Sequence, residues 1–318
     1  MPYIRGMERL IHVHATQAQA RALDFGTHAA WPCGLALEDH VEKEVRLRQG
    51  PWPRATLSAW SLHDADDPAC RALASCEVYA VPVEARGRQG RALAFASVFV
   101  EPVLRGRGYA SRLLERLHAD LGAAPDIAAC VLFSDVGAAI YERLGYTALP
   151  AFDRLYPPQR AHTLPEGVLP VSESQVRSLP LCPPTGAFAL APSHDQLDWH
   201  LDRSRLRAEY LGLPRPARCG AALASDPRQH IVWVDEEGEL LVLSLVADTP
   251  EAARALVTAA QDTAARAALS GVRAWETPGV VWPAGERVAR DGCLPMIRPV
   301  WAGVEPAEWA WVPRALWV

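Results

Sequence analysis

The sequence predicts an α+β fold: a mixed central sheet flanked by helices, followed by a second and smaller α+β unit. Three observations lead there. Segments of strand and helix period alternate over residues 9 to 150 in the order β-α-α-β-β-β-α-β-α. An apolar strand, a glycine turn and an amphipathic helix follow one another directly over residues 92 to 117. After Arg154 the chain turns proline-rich, and a fresh series of helices and strands opens at residue 193. With 318 residues, half of them hydrophobic, the chain is long enough for two domains of ordinary size.

Residues 9 to 15 read as the first strand. Thr16 caps a helix running to about Gly26, with Ala18, Ala22 and Leu23 on its inner face. Beyond the break Trp31-Pro32-Cys33-Gly34, a second helix covers Leu37 to Arg48. Its charges (Glu38, Asp39, Glu42, Lys43, Glu44 and Arg46) read as a solvated face. Residues 56 to 62 form a strand, and 71 to 84 a longer one. The turn Gly87-Arg88-Gln89-Gly90 joins the longer strand to the next. That next strand, Ala92 to Val100, is apolar and β-branched, and it stops at Glu101-Pro102. A basic turn follows (Arg105, Gly106, Arg107, Gly108), then a helix striped by Tyr109, Leu113, Leu114 and Leu117. Residues 128 to 134, AACVLFS, read as a buried strand. Asp135 is placed to cap the helix after it, and Gly145 to end that helix in a left-handed turn.

Residues 156 to 192 read as an extended linker studded with Pro157-Pro158, Pro165, Pro170, Pro180 and Pro183-Pro184. This sets expected boundaries of 1–155 for the first domain and 193–318 for the second. Ser193 caps a long helix with carboxylates early and arginines late, as the helix dipole favours. Strands GAALAS, HIVWVDE and ELLVLSLVAD come next, then a helix from Pro250 to about Leu269. VRAWET, a short helix around 284 to 291, MIRPVWAG and WAWVPRALWV complete the chain. The second unit echoes the latter half of the first. Yet Ala247-Asp248-Thr249-Pro250 stands where the glycine turn would be, with neither paired glycines nor arginine.

Composition narrows the function classes. A net charge of −5 gives no electrostatic footprint for nucleic acid. The basic residues are nearly all arginine, and Lys43 is the single lysine; a GC-rich genome accounts for that bias. Seven cysteines (33, 70, 76, 130, 182, 219 and 293) form no CxxC pair, which points to a reducing compartment and no structural metal. The N-terminus lacks the apolar core of a signal peptide, and no run of about 18 apolar residues occurs, so a cytoplasmic protein without membrane partners is expected.

The strand–turn–helix at 92 to 117 carries the chemistry. Successive backbone N–H groups at a helix N-terminus converge on one point, and glycine lets an anion approach it closely. The lysine of a Walker loop is missing, and Ser111 stands where GxGxxG needs its third glycine. What remains, Arg105-x-x-Gly108-x-Ala110, resembles the R/Q-x-x-G-x-G/A pyrophosphate loop of the GNAT N-acetyltransferases. Gly137, Ala138, Tyr141, Gly145 and Tyr146 resemble the tail of the same core, although Ser134-Asp135 stands near where that family has Asn. A closer resemblance is to the fungal lysine N6-acetyltransferases and their bacterial relatives. It rests on Ala74-Ser75-Cys76-Glu77, Asp198-Trp199-His200, Ile231 to Val234 leading into Leu243-Ser244-Leu245, Leu294 to Ile297, and Trp309-x-Trp311.

The resemblance implies acetyl-CoA as cosubstrate and a second domain that is a degenerate GNAT lobe without a cofactor site. Arg105, Gly106, Arg107, Gly108, Tyr109 and Ala110 would hold the pyrophosphate. Backbone groups of Val98, Phe99 and Val100 would receive pantetheine and the thioester oxygen where the strand leaves its neighbour, with Asp135 and Ala138 alongside. Tyr141 is then the candidate general acid for the coenzyme A sulfur, and otherwise a half-buried packing residue. Glu77 is the candidate base; its plain alternative is a solvent-facing strand position. Asp198, Trp199, Arg298 and Trp309 are candidates for the acceptor side, with Arg298 and Arg273 either gripping a carboxylate or lying on the surface. The crowded late tryptophans are either core and interdomain seam or the lining of an amine pocket. The function implied is acetyl transfer to a primary amine of a small molecule, free lysine first. A non-catalytic acyl-CoA or amino-acid-binding regulator, or a GNAT enzyme acting on an antibiotic, polyamine or protein N-terminus, is the alternative.

Overall fold

The computed structural model describes residues 10–66, 71–181, 188–190, 192–277, 280–309 and 312–318. Cys70, Cys182, Pro183, Pro184 and Trp311 lie outside the described residues. The first stretch runs β1 (Leu10–His14), α1 (Gln17–Thr27), α2 (Leu37–Arg48), α3 (Pro51–Thr56), β2 (Leu57–Asp64), β3 (Ala74–Ala85) and β4 (Arg88–Phe99). It continues with α4 (Tyr109–Leu121), β5 (Ile127–Ser134), α5 (Ala139–Glu142), β6 (Thr147–Ala148) and β7 (Phe152–Tyr156). The second stretch holds β8 (Val168–Val171), α6 (Glu173–Val176), β9 (Phe188–Leu190), α7 (His194–Leu211), β10 (Gly220–Leu223) and β11 (His230–Glu236). After these come β12 (Glu239–Val246), α8 (Pro250–Arg266), β13 (Val272–Trp275), β14 (Glu286–Ala289) and β15 (Leu294–Pro299).

Two mixed sheets result, each built on one motif. In the first, the β3–β4 hairpin leads through α4 to β5, which pairs parallel with β4. In the second, the β11–β12 hairpin leads through α8 to β13, parallel to β12. Both hairpins turn on a two-residue loop with positive φ at each position: Arg86-Gly87 at 50° and 78°, Glu237-Gly238 at 55° and 83°. Such a turn matches the natural twist of the strands it joins. The α+β class and the recurrence of one strand–strand–helix–strand motif in both units are therefore as expected.

Beyond the parallel pair the two sheets trade strands. The first has the order β1-β2-β3-β4-β5-β15-β6, with β9 on the far end of β3; the second has β14-β7-β13-β12-β11-β10-β8. Thus β15, from the end of the chain, lies between β5 and β6, while β7, from the first stretch, lies between β13 and β14. The stretch read as a linker supplies β8 to the second sheet and β9 to the first. The short helix expected around 284 to 291 is instead the strand β14. Its side chains are all exposed, so no burial pattern marks it, and its backbone pairs with β7.

One apolar core spans both stretches. Trp52 stacks on Tyr79 (4.7 Å between ring centroids) and meets Trp199 of α7, and Phe188, Trp309 and Leu316 pack into the same cluster. The inner face of α1 is rotated from the expected one: Ala20 and Asp24 are buried, while Ala18 and Ala22 are exposed. In α2 the charged face is only partly solvated, since Lys43 is buried and Glu44 and Arg48 are partly covered. Among the described residues no helix is long and apolar enough to cross a membrane, and no three His, Cys, Asp or Glu side chains converge as metal ligands.

Burial lowers the pKa of four histidines, His230 among them, and for three the fall is large. His40, His118 and His200 are each under a tenth exposed, and burial lowers them to about 4, 4 and 3. The unfolded chain takes up these protons near pH 6.5 and the folded chain only near 3 to 4. Between those limits the unfolded state holds more protons, so acid favours unfolding. At about 1.4 kcal/mol per pKa unit, each histidine is worth on the order of 3 kcal/mol over that window. Asp24, raised to about 6, and Asp235, also raised by burial, act in the opposite sense and offset only part of the histidine effect. Urea midpoints should fall steadily from pH 6.5 to pH 4; a flat profile would contradict the assignment.

Candidate active site

The glycine turn forms an open cradle. After Phe99 the chain makes a 3-10 turn over Pro102–Leu104 and passes through Gly106 and Gly108, at φ 77° and 78°. No atom lies within 4 Å of where a β-carbon would project from either glycine. Gly108 is the N-cap of α4 and offers no side-chain cap, and the first helical bond runs from Arg112 N to Gly108 O. The amides of Tyr109, Ala110 and Ser111 are therefore left without helical partners, pointing out of a 13-residue helix. Arg105 donates its Nε to Val100 O at 3.0 Å, fixing the turn, and Arg107 is exposed. The corresponding end of α8 is closed. Thr249 Oγ1 accepts the Ala252 amide at 3.1 Å, and Pro250 has no N–H.

Next to the cradle, β4 parts from β5. Their parallel pairing ends at Phe95 and Leu132, although β4 runs on to Phe99 and β5 to Ser134. On the other side, Glu77 faces Ala96 while Ser75 faces Phe99, so β4 carries one extra residue. This is a bulge, with Ser97 at φ 50°. Backbone groups around Val98 thus come free on the side toward β5, whereas the Val100 carbonyl, expected to be free, is taken by Arg105.

A cavity of about 200 Å³ opens onto this divergence. Ser97, Val98, Leu132, Phe133 and Tyr141 line one side of it, and the inner faces of α1 and α2 another. Trp199 and Arg203 of α7, with Trp317 and Val318, also contribute to its wall. Tyr141 is 8 % exposed and lies edge-on to Tyr146, and burial pushes its phenol up to about 12. It is a proton donor throughout the neutral range. Trp317 is held by Arg203 (4.6 Å from its ring) and Arg314, and both arginines bind Glu236.

Glu77 also lines the cavity, but it is not a free carboxylate. Its Oε1 accepts from Arg48 Nε and Nη2 (3.1 and 3.0 Å), and its Oε2 accepts from Ser97 Oγ at 3.1 Å. Arg48 at the same time grips Asp24 bidentately at 2.7 and 2.6 Å. Burial pushes the Asp24 carboxyl up to about 6, and the guanidinium opposes that rise, so it stays ionised at neutral pH. The chain Asp24–Arg48–Glu77–Ser97 runs from the helices to the bulge. Removing one partner of a buried ion pair commonly costs about 3–5 kcal/mol. Arg48→Met should therefore lose stability of that order in urea unfolding, and Asp24→Asn in the same chain should recover part of it. Full stability in the single variant would show the pair to be dispensable.

Other expected site residues lie elsewhere. Asp135 lines the cavity but does not cap α5, whose N-cap is Ala138. Its Oδ1 accepts from the Cys293 amide at 2.9 Å, while Ser134 closes the turn through Gly137 O. Asp198 pairs with Arg177 and does not face the cavity. Trp309 is 2 % exposed in the apolar core. Arg298 lies on β15 beside Gly145, and Arg273 is taken up by Asp153 and Glu239. Of Asp198, Trp199, Arg298 and Trp309 only Trp199 lines the cavity, and of the late tryptophans Trp317 does. Sequence reasoning missed Asp24, His40 and Arg48 as cavity residues. Their signal was polar residues at spacings of three and four along α1 and α2, which a solvated helix also shows.

Comparison with known proteins agrees with this geometry. Residues 66–149 match the family model described as an acetyltransferase (GNAT) domain, and residues 173–317 match the LYC1 GNAT-like C-terminal domain. No curated protein matches the chain. Among solved structures, a probable N-acyltransferase of unknown function from Enterococcus faecalis is similar, with a TM-score of 0.62 at 13% identity, over 92% of this chain and 72% of that one. A putative acetyltransferase from Pyrococcus horikoshii matches at TM-score 0.54 and 13% identity, over 99% and 98%. A GCN5-related N-acetyltransferase from Kribbella flavida matches at TM-score 0.54 and 18% identity, over 91% and 71%.

Proposed function

Because this chain belongs to the GNAT superfamily of acetyl-CoA-dependent N-acetyltransferases, we propose that it acetylates a primary amine of a small molecule, the side-chain amine of free lysine first. One observation carries the reading: a single cavity joins the freed β4 backbone and Tyr141 to a wall of ionised groups on α1, α2 and β3. Three carboxylates there (Asp24, Glu44 and Glu77) face two cations (Lys43 and Arg48), an imbalance that favours a cationic amine.

The amine attacks the thioester carbonyl directly in a ternary complex. A backbone N–H at the bulge stabilises the developing oxyanion, an effect worth about 3–4 kcal/mol in comparable sites. As the tetrahedral intermediate collapses, the C–S bond breaks, Tyr141 gives its proton to the leaving thiolate, and the proton still carried by the attacking nitrogen returns to the Tyr141 oxygen. The proton lost by the ammonium passes through water to a cavity carboxylate. Glu77, tied to Arg48, acts mainly by holding Ser97 and the bulge in place. The test is thiol release from acetyl-CoA against a panel of amino acids, diamines and aminoglycosides. Release with small amines, lysine above all, is the expected result; no release with any amine would refute the proposal.

A further inference from the structure

Lys43 and His40 leave unmatched polar groups one helical turn apart in the cavity wall, and the two mismatches are opposite in kind. Lys43 is 3 % exposed. Its ammonium carries three N–H donors, and its ion-pair partner among the described residues is Glu44 Oε1, at 2.7 Å. An ammonium is costly to bury unless acceptors surround it. A chain that uses arginine everywhere else retains its only lysine at this position.

His40 is 2 % exposed. Its Nε2 lies 3.3 Å from Thr27 Oγ1, and that hydroxyl donates its one proton to Asp24 O at 3.1 Å. The Thr27 oxygen can therefore only accept from the ring, so Nε2 carries the hydrogen and Nδ1 a bare lone pair. Nδ1 is buried without a partner. A surplus of donors on Lys43 thus sits beside a surplus acceptor on His40.

We infer that Lys43 and His40 form a head-group subsite for an α-amino acid, the ammonium of Lys43 receiving the α-carboxylate and His40 Nδ1 accepting from the α-ammonium. The inference rests on the reading of this cavity as the acceptor site of an amine acetyltransferase. Each pole of an amino-acid head fills one mismatch, and the distal amine is left free to reach toward Tyr141. A plain diamine would set a second cation against Lys43, and an ω-amino acid without an α-amine would leave Nδ1 bare. Arg203 and Trp317, on the same cavity, remain available to cover the head group.

The experiment measures kcat/KM for lysine, cadaverine and 6-aminohexanoate in the wild-type protein and in Lys43→Met and Lys43→Arg. Hydrogen bonds to charged groups correspond to about 10- to 100-fold in affinity. Wild type should prefer lysine to both analogues by a factor in that range. In Lys43→Met the lysine-to-cadaverine ratio should collapse toward one, and Lys43→Arg should restore part of it. The wild-type comparison decides the matter even if Lys43→Met fails to fold. Equal use of the three amines, an unchanged ratio in Lys43→Met, or an acetyl group found on Lys43 in the intact mass would overturn the subsite. Turnover of cadaverine without preference for lysine would sink the subsite alone, whereas inertness toward every amine would sink the acetyltransferase reading itself.

Discussion

Gly108→Asp should abolish acetyl-CoA binding while the protein stays folded. The residue sits at φ 78° with no atom within 4 Å of a built β-carbon. The new side chain therefore meets open space rather than the core, and it enters the place where an anion would approach the bare amides of α4. A like charge about 4 Å away repels by roughly 4 kcal/mol near a protein surface, or about a thousandfold in affinity. Gly87→Asp supplies the control: it also stands at φ 78° in open space, but in a hairpin turn. Both variants should show similar modest losses of thermal stability. Titration calorimetry should find one acetyl-CoA site per chain in wild type and in Gly87→Asp, and none in Gly108→Asp. Retained binding in Gly108→Asp, or a second site in wild type, would remove the cradle at 105 to 110 from the assignment.

Tyr141→Phe should lower kcat by about 10²- to 10⁴-fold, the usual worth of a positioned general acid. Its KM for acetyl-CoA should change little. The ring stays in place, since its edge contact with Tyr146 and its burial do not depend on the hydroxyl. Unchanged thermal stability would thus accompany the loss of rate. A variant within twofold of wild type would return Tyr141 to a packing role.

Local order in this molecule is legible from sequence because it rests on local physics. The period of Leu113, Leu114 and Leu117 places α4, and each of these leucines is fully buried. The positive-φ glycines mark the cradle and the end of the Tyr141 helix. What escapes reading depends on partners distant in the chain. Residues 294 to 299 look like a buried strand whichever sheet receives them, and nothing local says that β5 and β6 are the recipients. The charges of α2 read as solvated because only the tertiary fold turns His40, Lys43 and Arg48 toward a cavity. Glu77 was recognisable as an unusual carboxylate in an apolar strand, but its partner Arg48 lies 29 positions away on another element.

The traded strands also set a timetable for synthesis. β5 and β6 have both left the ribosome's peptidyl-transferase centre by residue 148, yet the strand that belongs between them is not made until residue 299. For that whole interval the nascent chain carries an unfilled slot along Ala129 to Ser134, an apolar edge open to wrong pairing. The first sheet therefore cannot close one domain at a time during translation; it is completed only after Pro299 has emerged. Synthesis halted near residue 160 should yield an aggregation-prone species in need of a chaperone, not a small working acetyl-CoA-binding protein.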